Sequence, residues 1–119
     1  MIDRIKVLIV DDSALMRKAL KEIIMTDPAL EVVGTARNGE DAIEKVHDLE
    51  PDVITMDINM PVMDGLTSMQ YILHDFPKLP VLIISSLTTE GALTTFEALE
   101  LGAFDFIAKP SGTVSANIH

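Results

Sequence analysis

The strongest constraint on the fold is a regular alternation of short apolar runs with longer amphipathic stretches. The apolar runs cover residues 5–10, 31–36, 52–56, 81–84 and 104–108. Runs this short, with apolar residues on both faces, are typical of the central strands of a parallel sheet. The stretches between them are long enough for right-handed helical crossovers. The pattern therefore predicts one α/β domain with a doubly wound, five-stranded parallel sheet.

Four helices are expected between these strands. Ser13, Asn38 and Asp64 each precede an amphipathic stretch and can accept a hydrogen bond from the first helical turn. The first helix should run to about Thr26, and Gly102 should end the fourth at the C′ position.

The first helix carries an unusually wide apolar arc. The arc consists of Leu15, Met16, Ala19, Leu20, Ile23, Ile24 and Met25. So wide an arc calls for two neighbours, the sheet and another helix. We predict that this second neighbour is missing from the chain. An apolar strip exposed in this way would favour self-association.

Composition narrows the possible functions. The 119 residues have a formal net charge of −10, which argues against binding nucleic acid or an anionic membrane surface. Cysteine is absent, which excludes disulfides and thiolate metal sites. No apolar stretch could span a bilayer and the N-terminus has no signal-peptide pattern, so a cytoplasmic location is the default expectation.

Chemically reactive side chains follow the predicted strands at their carboxyl ends, the edge where α/β sheets bind ligands. In strand order they are Asp11 and Asp12, Asp57, Ser85 and Ser86, and Lys109. Separately, each has an ordinary explanation as a helix-terminal acid, a turn hydroxyl or a surface lysine. Those explanations do not account for the arrival of all of them at one edge.

This set of groups suits phosphoryl transfer. Carboxylates crowded together either raise their pKa values or bind a cation, and a site with only oxygen ligands suits Mg²⁺. A carboxylate is also a competent nucleophile toward phosphorus. The metal and the ammonium group would offset the negative charge that develops during transfer.

With these motifs the chain resembles the receiver domains of two-component response regulators. They are Val10-Asp11-Asp12-Ser13, Met56-Asp57-Ile58-Asn59-Met60-Pro61, Met63-Asp64-Gly65, the Ser85 hydroxyl and Lys109-Pro110. The resemblance implies a flavodoxin-like strand order 2-1-3-4-5 over a receiver spanning residues 1–110. Receivers normally end in a fifth helix beside the first, so the resemblance implies that this helix is missing. It leaves residues 111–119 as the start of a linker or of a truncated C-terminal helical region.

The resemblance also implies a role for each site residue. Asp57 would accept a phosphoryl group from a histidine kinase, and Lys109 would pair with that group. A Mg²⁺ ion would be held by Asp11, Asp12, Asp57 and the backbone carbonyl of Asn59. Ser85 would swing in to bond the phosphoryl group, and Phe106 would turn inward as the aromatic switch residue. The peptide between Lys109 and Pro110 would be a candidate for the cis form.

Three further segments resemble the receiver of chemotaxis protein-glutamate methylesterases. They are Asp12-Ser13-Ala14-Leu15-Met16-Arg17, Ser85-Ser86-Leu87-Thr88 and Lys109-Pro110-Ser111-Gly112. The last departs from the Lys-Pro-Phe common in DNA-binding regulators. The chain has no Gly-x-Ser-x-Gly nucleophile elbow, so we expect a regulatory domain that takes up phosphate but cannot itself hydrolyse esters.

Other functions stay open at this point. A stand-alone receiver or a DNA-binding regulator would share the same site. An aspartyl-phosphate phosphatase commonly has a second acid two residues after its nucleophile, where this chain has Asn59. A nucleotide-binding module would need a glycine-rich loop after the first strand, and a silent scaffold would have lost an acid or the lysine.

Overall fold

The structure is a computed structural model that describes residues 3–86 and 88–109. Strands and helices alternate along this part of the chain. In order they are β1 Ile5–Val10, α1 Ala14–Ile24, β2 Leu30–Ala36, α2 Gly39–Leu49, β3 Val53–Asp57, α3 Gly65–Asp75, β4 Val81–Ser85, α4 Thr89–Glu100 and β5 Asp105–Ala108. None of the helices described is long and apolar enough to cross a membrane.

The five strands form one parallel sheet in the order β2-β1-β3-β4-β5, which confirms the predicted fold class. Most boundaries agree with the predicted ones to within one residue. β3 and β4 each extend one residue further than predicted, because Asp57 pairs with Ile84 and Ser85 pairs with Ala108. These extensions make two of the predicted site residues part of the sheet itself.

Helix ends follow the predicted chemistry at four places. The side chains of Ser13, Asn38 and Asp64 accept hydrogen bonds from the backbone N–H three residues later. Gly102 follows α4 with a φ of +118°, the left-handed conformation that glycine adopts most easily. The first helix ends at Ile24, two residues before the predicted Thr26, whose hydroxyl donates to the carbonyl of Ile23.

Helices cover the two faces of the sheet unequally. Residues of α2, α3 and α4, among them Val46, Ile72 and Ala98, pack with β1, β3 and β4 in the larger apolar core. On the other face α1 contributes Leu20, which packs against Val7 and Ile9. The main core is therefore aliphatic and lies on the α2–α4 side.

Beside α1 the second face carries an apolar groove of about 700 Å³. We call it the α1 groove; it is lined by Ile5, Val7, Leu20, Ile23, Ile24, Leu30, Asp52, Val53, Thr55, Pro80, Leu82, Ile84, Phe104 and Ile107. Ile23 is 55% exposed and Phe104 is 71% exposed within the described residues. The wide apolar arc of α1 thus has the sheet as one neighbour. The predicted linker or truncated helix at 111–119 lies outside the described residues.

Candidate functional site

Three carboxylates meet at the carboxyl edge of the sheet. Val10 pairs with Met56, so the next residues, Asp11 after β1 and Asp57 at the end of β3, lie side by side. One carboxylate oxygen from each of Asp11, Asp12 and Asp57 lies within 4.8 Å of the others. Asp11 and Asp57 are buried, and Asp12 is exposed. The structure therefore brings together the three acids that the sequence predicts.

Lys109 faces this cluster from the end of β5. Its Nζ lies 3.2 Å from Oδ1 of Asp57 and 4.0 Å from Oδ2 of Asp11. Its backbone N–H donates a 2.7 Å hydrogen bond to the carbonyl of Ser85, which ties the lysine to the end of β4. The backbone of Lys109 is therefore held at the end of β4, and its ammonium group lies opposite two buried carboxylates. The predicted cis peptide between Lys109 and Pro110 falls outside the described residues, because Pro110 is not among them.

The surroundings raise the pKa of both buried carboxyl groups. Burial is the main cause for Asp57, the charge of Asp11 raises its pKa further, and Lys109 lowers it. Burial is also the main cause of the raised pKa of Asp11, where the hydrogen bond from Ser13 and the charge of Lys109 act in the opposite direction. Burial makes the charged forms of both carboxyl groups unfavourable, so a bound cation would stabilise them.

The donors present fit a hard divalent cation. Oδ1 of Asp11 accepts a 2.9 Å hydrogen bond from the N–H of Ser13, whereas its Oδ2 is buried with no hydrogen-bond partner among the described residues. An unpartnered buried carboxylate oxygen is costly unless a cation satisfies it. With two further carboxylates nearby, all the ligands are oxygens, as Mg²⁺ prefers.

The two oxygens of Asp57 are in different situations. Oδ1 accepts hydrogen bonds from the N–H of Ile58 at 2.9 Å and from Lys109 at 3.2 Å. Within the described residues no hydrogen bond is made to Oδ2, so this oxygen is available to a metal or an electrophile. The loop from Asp57 to Gly65 is tightly packed. The N–H of Gly65 donates to the carbonyl of Ile58, and a Cβ at Gly65 would overlap the carbonyl oxygen of Asp57.

Asp57 opens into a polar cavity of about 180 Å³. Asp12, Asn59, Ser85 and Lys109 also line it. Asn59, whose backbone carbonyl is predicted to bind the metal, therefore lies at the rim of the same cavity as Asp57. The exposed loop that carries it includes Val62 at a φ of +71°, a sparsely populated conformation for a β-branched residue.

Ser85 also lines a second, largely apolar cavity of about 240 Å³. That cavity lies against α4 and is bordered by Thr95, Phe96 and Phe106. Phe106 is 49% exposed here. The two residues predicted to act as the switch thus share one cavity wall, with Ser85 between that cavity and the acidic site.

Sequence reasoning missed two residues around the site. Arg17 on α1 donates a 2.7 Å hydrogen bond to the backbone carbonyl of Asp11, which fixes the acidic loop. Thr95 on α4 is buried and shares a 2.6 Å hydrogen bond with the hydroxyl of Ser85. Arg17 ends one of the methylesterase-like segments, but the sequence gave no signal of this contact, since a surface arginine on a helix is ordinary. Thr95 gave a weak one, since it follows Ala92 and precedes Ala98 at helical spacing on an apolar face.

Comparisons with known proteins agree with this site. The family model described as the response regulator receiver domain matches residues 7–115. A protein-glutamate methylesterase/protein-glutamine glutaminase 2 from Carboxydothermus hydrogenoformans is 66% identical over 115 residues, 97% of this chain and 32% of that protein. A related enzyme from Pyrococcus horikoshii is 56% identical over 97% of this chain and 31% of its own length. This chain therefore spans about a third of such relatives.

Solved structures lead to the same family. The response regulator domain of Thermotoga maritima CheB superposes with a TM-score of 0.84 and 52% identity, covering 92% of this chain and 81% of that one. The CheX–CheY–BeF3–Mg complex from Borrelia burgdorferi gives 0.83 and 34%, covering 96% and 84%. The chain therefore belongs to the response regulator receiver domain family, and the methylesterase relatives match it over their receiver domain.

Proposed function

We propose that this chain is a signalling switch in which Asp57 accepts a phosphoryl group from a phosphohistidine of a histidine kinase. One observation carries the proposal: a buried carboxylate faces an ammonium group at 3.2 Å, beside two further carboxylates within 4.8 Å. This is the arrangement that phosphoryl transfer to an aspartate requires, a nucleophile with positive charge where the phosphoryl oxygens will lie.

Oδ2 of Asp57 is the proposed nucleophile, because the hydrogen bonds from Ile58 and Lys109 both fall on Oδ1. The new O–P bond forms as the P–N bond to the kinase imidazole breaks, and the bonding electrons stay on the imidazole nitrogen. Lys109 then lies beside the incoming phosphoryl oxygens and balances part of their charge. Ser85, which also lines the polar cavity, is the proposed hydroxyl donor to the bound phosphoryl group.

Asp11, Asp12, Asp57 and the carbonyl of Asn59 are the proposed ligands of Mg²⁺. When bound, the ion supplies charge neutralisation at the phosphoryl oxygens. The unpartnered Oδ2 of Asp11 supports this ligand set. The similarity to a CheY complex that contains BeF3 and Mg supports it independently.

The output is proposed to be a protein-glutamate methylesterase domain elsewhere in a longer protein. The supporting observation is the set of methylesterase relatives that match nearly all of this chain across a third of their own length. On this view Ser85 and Phe106 report the state of Asp57 to the surface of α4 and β5. A cytoplasmic location follows from the proposed kinase partner, and the net charge of −10 disfavours nucleic acid and anionic membranes as partners.

The test is incubation with acetyl phosphate and Mg²⁺, followed by intact mass. The wild type should gain one acid-labile phosphoryl adduct that does not form without the metal. Asp57→Asn should gain none, while the exposed control Asp48→Asn on α2 should behave as the wild type. An adduct that persists in Asp57→Asn would overturn the assignment. Rapid phosphate release without an adduct would favour a phosphatase.

Self-association is a second proposed property of the chain as it stands. It rests on the α1 groove, where Ile23 and Phe104 are more than half exposed. Light scattering should show a mass that rises with concentration, and Ile23→Glu should reduce this rise. A monodisperse monomer over a wide concentration range would contradict the proposal.

A further inference from the structure

The hydroxyl of Ser85 is held by α4. It shares a 2.6 Å hydrogen bond with the hydroxyl of Thr95, and Thr95 is buried. Two backbone carbonyls, those of Ser86 and Gly91, lie 3.2 and 3.3 Å from the Ser85 oxygen. The short contact to Thr95 is thus the strongest of the three.

Counting protons shows where the Ser85 hydroxyl points. Each hydroxyl has one proton to donate. Thr95 also lies 2.7 Å from the carbonyl of Gly91. Thr95 is the donor toward both Ser85 and Gly91, so the Ser85 oxygen accepts from Thr95. The proton of Ser85 then goes to the carbonyl of Ser86 or of Gly91. A Ser85 hydroxyl held in this way has no proton for a group on Asp57.

The close fit of α4 against the end of β4 maintains this arrangement. A Cβ at Gly91 would lie 2.5 Å from the side-chain oxygen and 2.6 Å from the carbonyl oxygen of Ser86. The absence of a side chain at Gly91 therefore lets the first turn of α4 approach Ser86. Thr88 caps the start of α4, because its hydroxyl accepts from the N–H of Gly91. Thr95 lies one turn further, level with Ser85.

From this geometry we propose that Thr95 is a positioning residue that holds Ser85 in the conformation turned away from Asp57. Docking of the Ser85 hydroxyl on a phosphoryl group then requires the Thr95–Ser85 hydrogen bond to break. The inference rests on the proposed function, since it gives Ser85 that docking role. Thr95 thereby sets how readily the switch turns on once Asp57 is occupied.

The test uses beryllofluoride, a tetrahedral mimic of the phosphoryl group, titrated calorimetrically in saturating Mg²⁺. Thr95→Val keeps the side-chain shape and removes the hydroxyl. It should bind beryllofluoride about two- to tenfold more tightly than the wild type, the factor that one net hydrogen bond is worth. Thr95→Ser restores the hydroxyl and should bind as the wild type does. Magnesium affinity should be the same in all three proteins, which separates a local effect on Ser85 from a general loosening of the fold.

The Ser85→Ala background makes the test specific. In that background Thr95→Val should leave beryllofluoride affinity unchanged, since there is no hydroxyl left to release. An unchanged or weaker affinity in Thr95→Val, or a gain that persists with Ser85→Ala, would overturn the role of Thr95. Failure of the wild type to bind beryllofluoride at all would overturn the proposed function as well.

Discussion

Replacing Lys109 with methionine should lower the free energy of unfolding and increase the stabilisation that magnesium provides. The ammonium group lies 3.2 Å from Asp57 and 4.0 Å from Asp11. At an effective dielectric of about 20, these contacts correspond to attractions of about 5 and 4 kcal/mol before desolvation is counted. The lysine side chain is 31% exposed, so water screens much of this attraction. A net loss of about 1–3 kcal/mol in the free energy of unfolding is expected at neutral pH.

The same variant has a second expected consequence. Without the lysine, the pKa of Asp57 loses the opposing influence of Lys109 and rises further. A divalent cation then meets a more negative site, so Mg²⁺ should raise the stability of Lys109→Met more than that of the wild type. Urea unfolding with and without magnesium measures both effects. Lys78→Met, an exposed lysine at the opposite edge of the sheet, is the matched control. Equal stability of Lys109→Met and the wild type, or an equal gain from magnesium, would refute this electrostatic reasoning.

Three further predictions concern other residues of the structure. Asp12→Asn should weaken magnesium binding about tenfold or more by calorimetry. Because this side chain is exposed, the free energy of unfolding without metal should change by less than about 0.5 kcal/mol. Unchanged magnesium affinity would remove Asp12 from the ligand set. Gly65→Ala should lower the free energy of unfolding in urea by about 1–3 kcal/mol and also weaken magnesium binding, since a Cβ there would displace the backbone of Asp57. Wild-type behaviour in both assays would contradict the packing argument. The pKa of His47 is raised, chiefly by its hydrogen bond to the carbonyl of Ile43 and also by Asp75. The stabilising effect of the charged ring is therefore complete below its ordinary pKa of about 6.5 and is lost as pH rises through the raised value. His47→Gln should destabilise the protein at pH 6 and much less at pH 9, and a difference independent of pH would be evidence against the ion pair with Asp75.

The acidic site was accessible to sequence reasoning because parallel strands end at one edge. Asp11 follows β1, Asp57 ends the neighbouring strand β3, and Lys109 follows the edge strand β5, so topology alone brings them together. The strand limits were less accessible. Asp57 and Ser85 belong to their strands through pairing with Ile84 and Ala108, and that register is a property of the whole sheet.

Contacts between side chains of separate helices could not be predicted in the same way. His47 is exposed on α2, and its ring bonds Asp75 on α3 at 3.1 Å and packs edge-on against Phe76, a pairing that helical periodicity does not predict. A threonine at position 95 fits the apolar face of α4 in the sequence, and only the fold shows that its hydroxyl reaches Ser85. Helical spacing identifies a face, whereas the partner on that face depends on how two helices pack.

The central claim is that the phosphoryl group is carried by Asp57. Borohydride reduction of the phosphorylated protein converts an aspartyl phosphate to homoserine, and peptide mass spectrometry then locates the changed residue. We expect homoserine at position 57 alone, formed only when both magnesium and the phosphoryl donor were present. Homoserine at Asp11 or Asp12, or an adduct that borohydride leaves intact, would contradict the account.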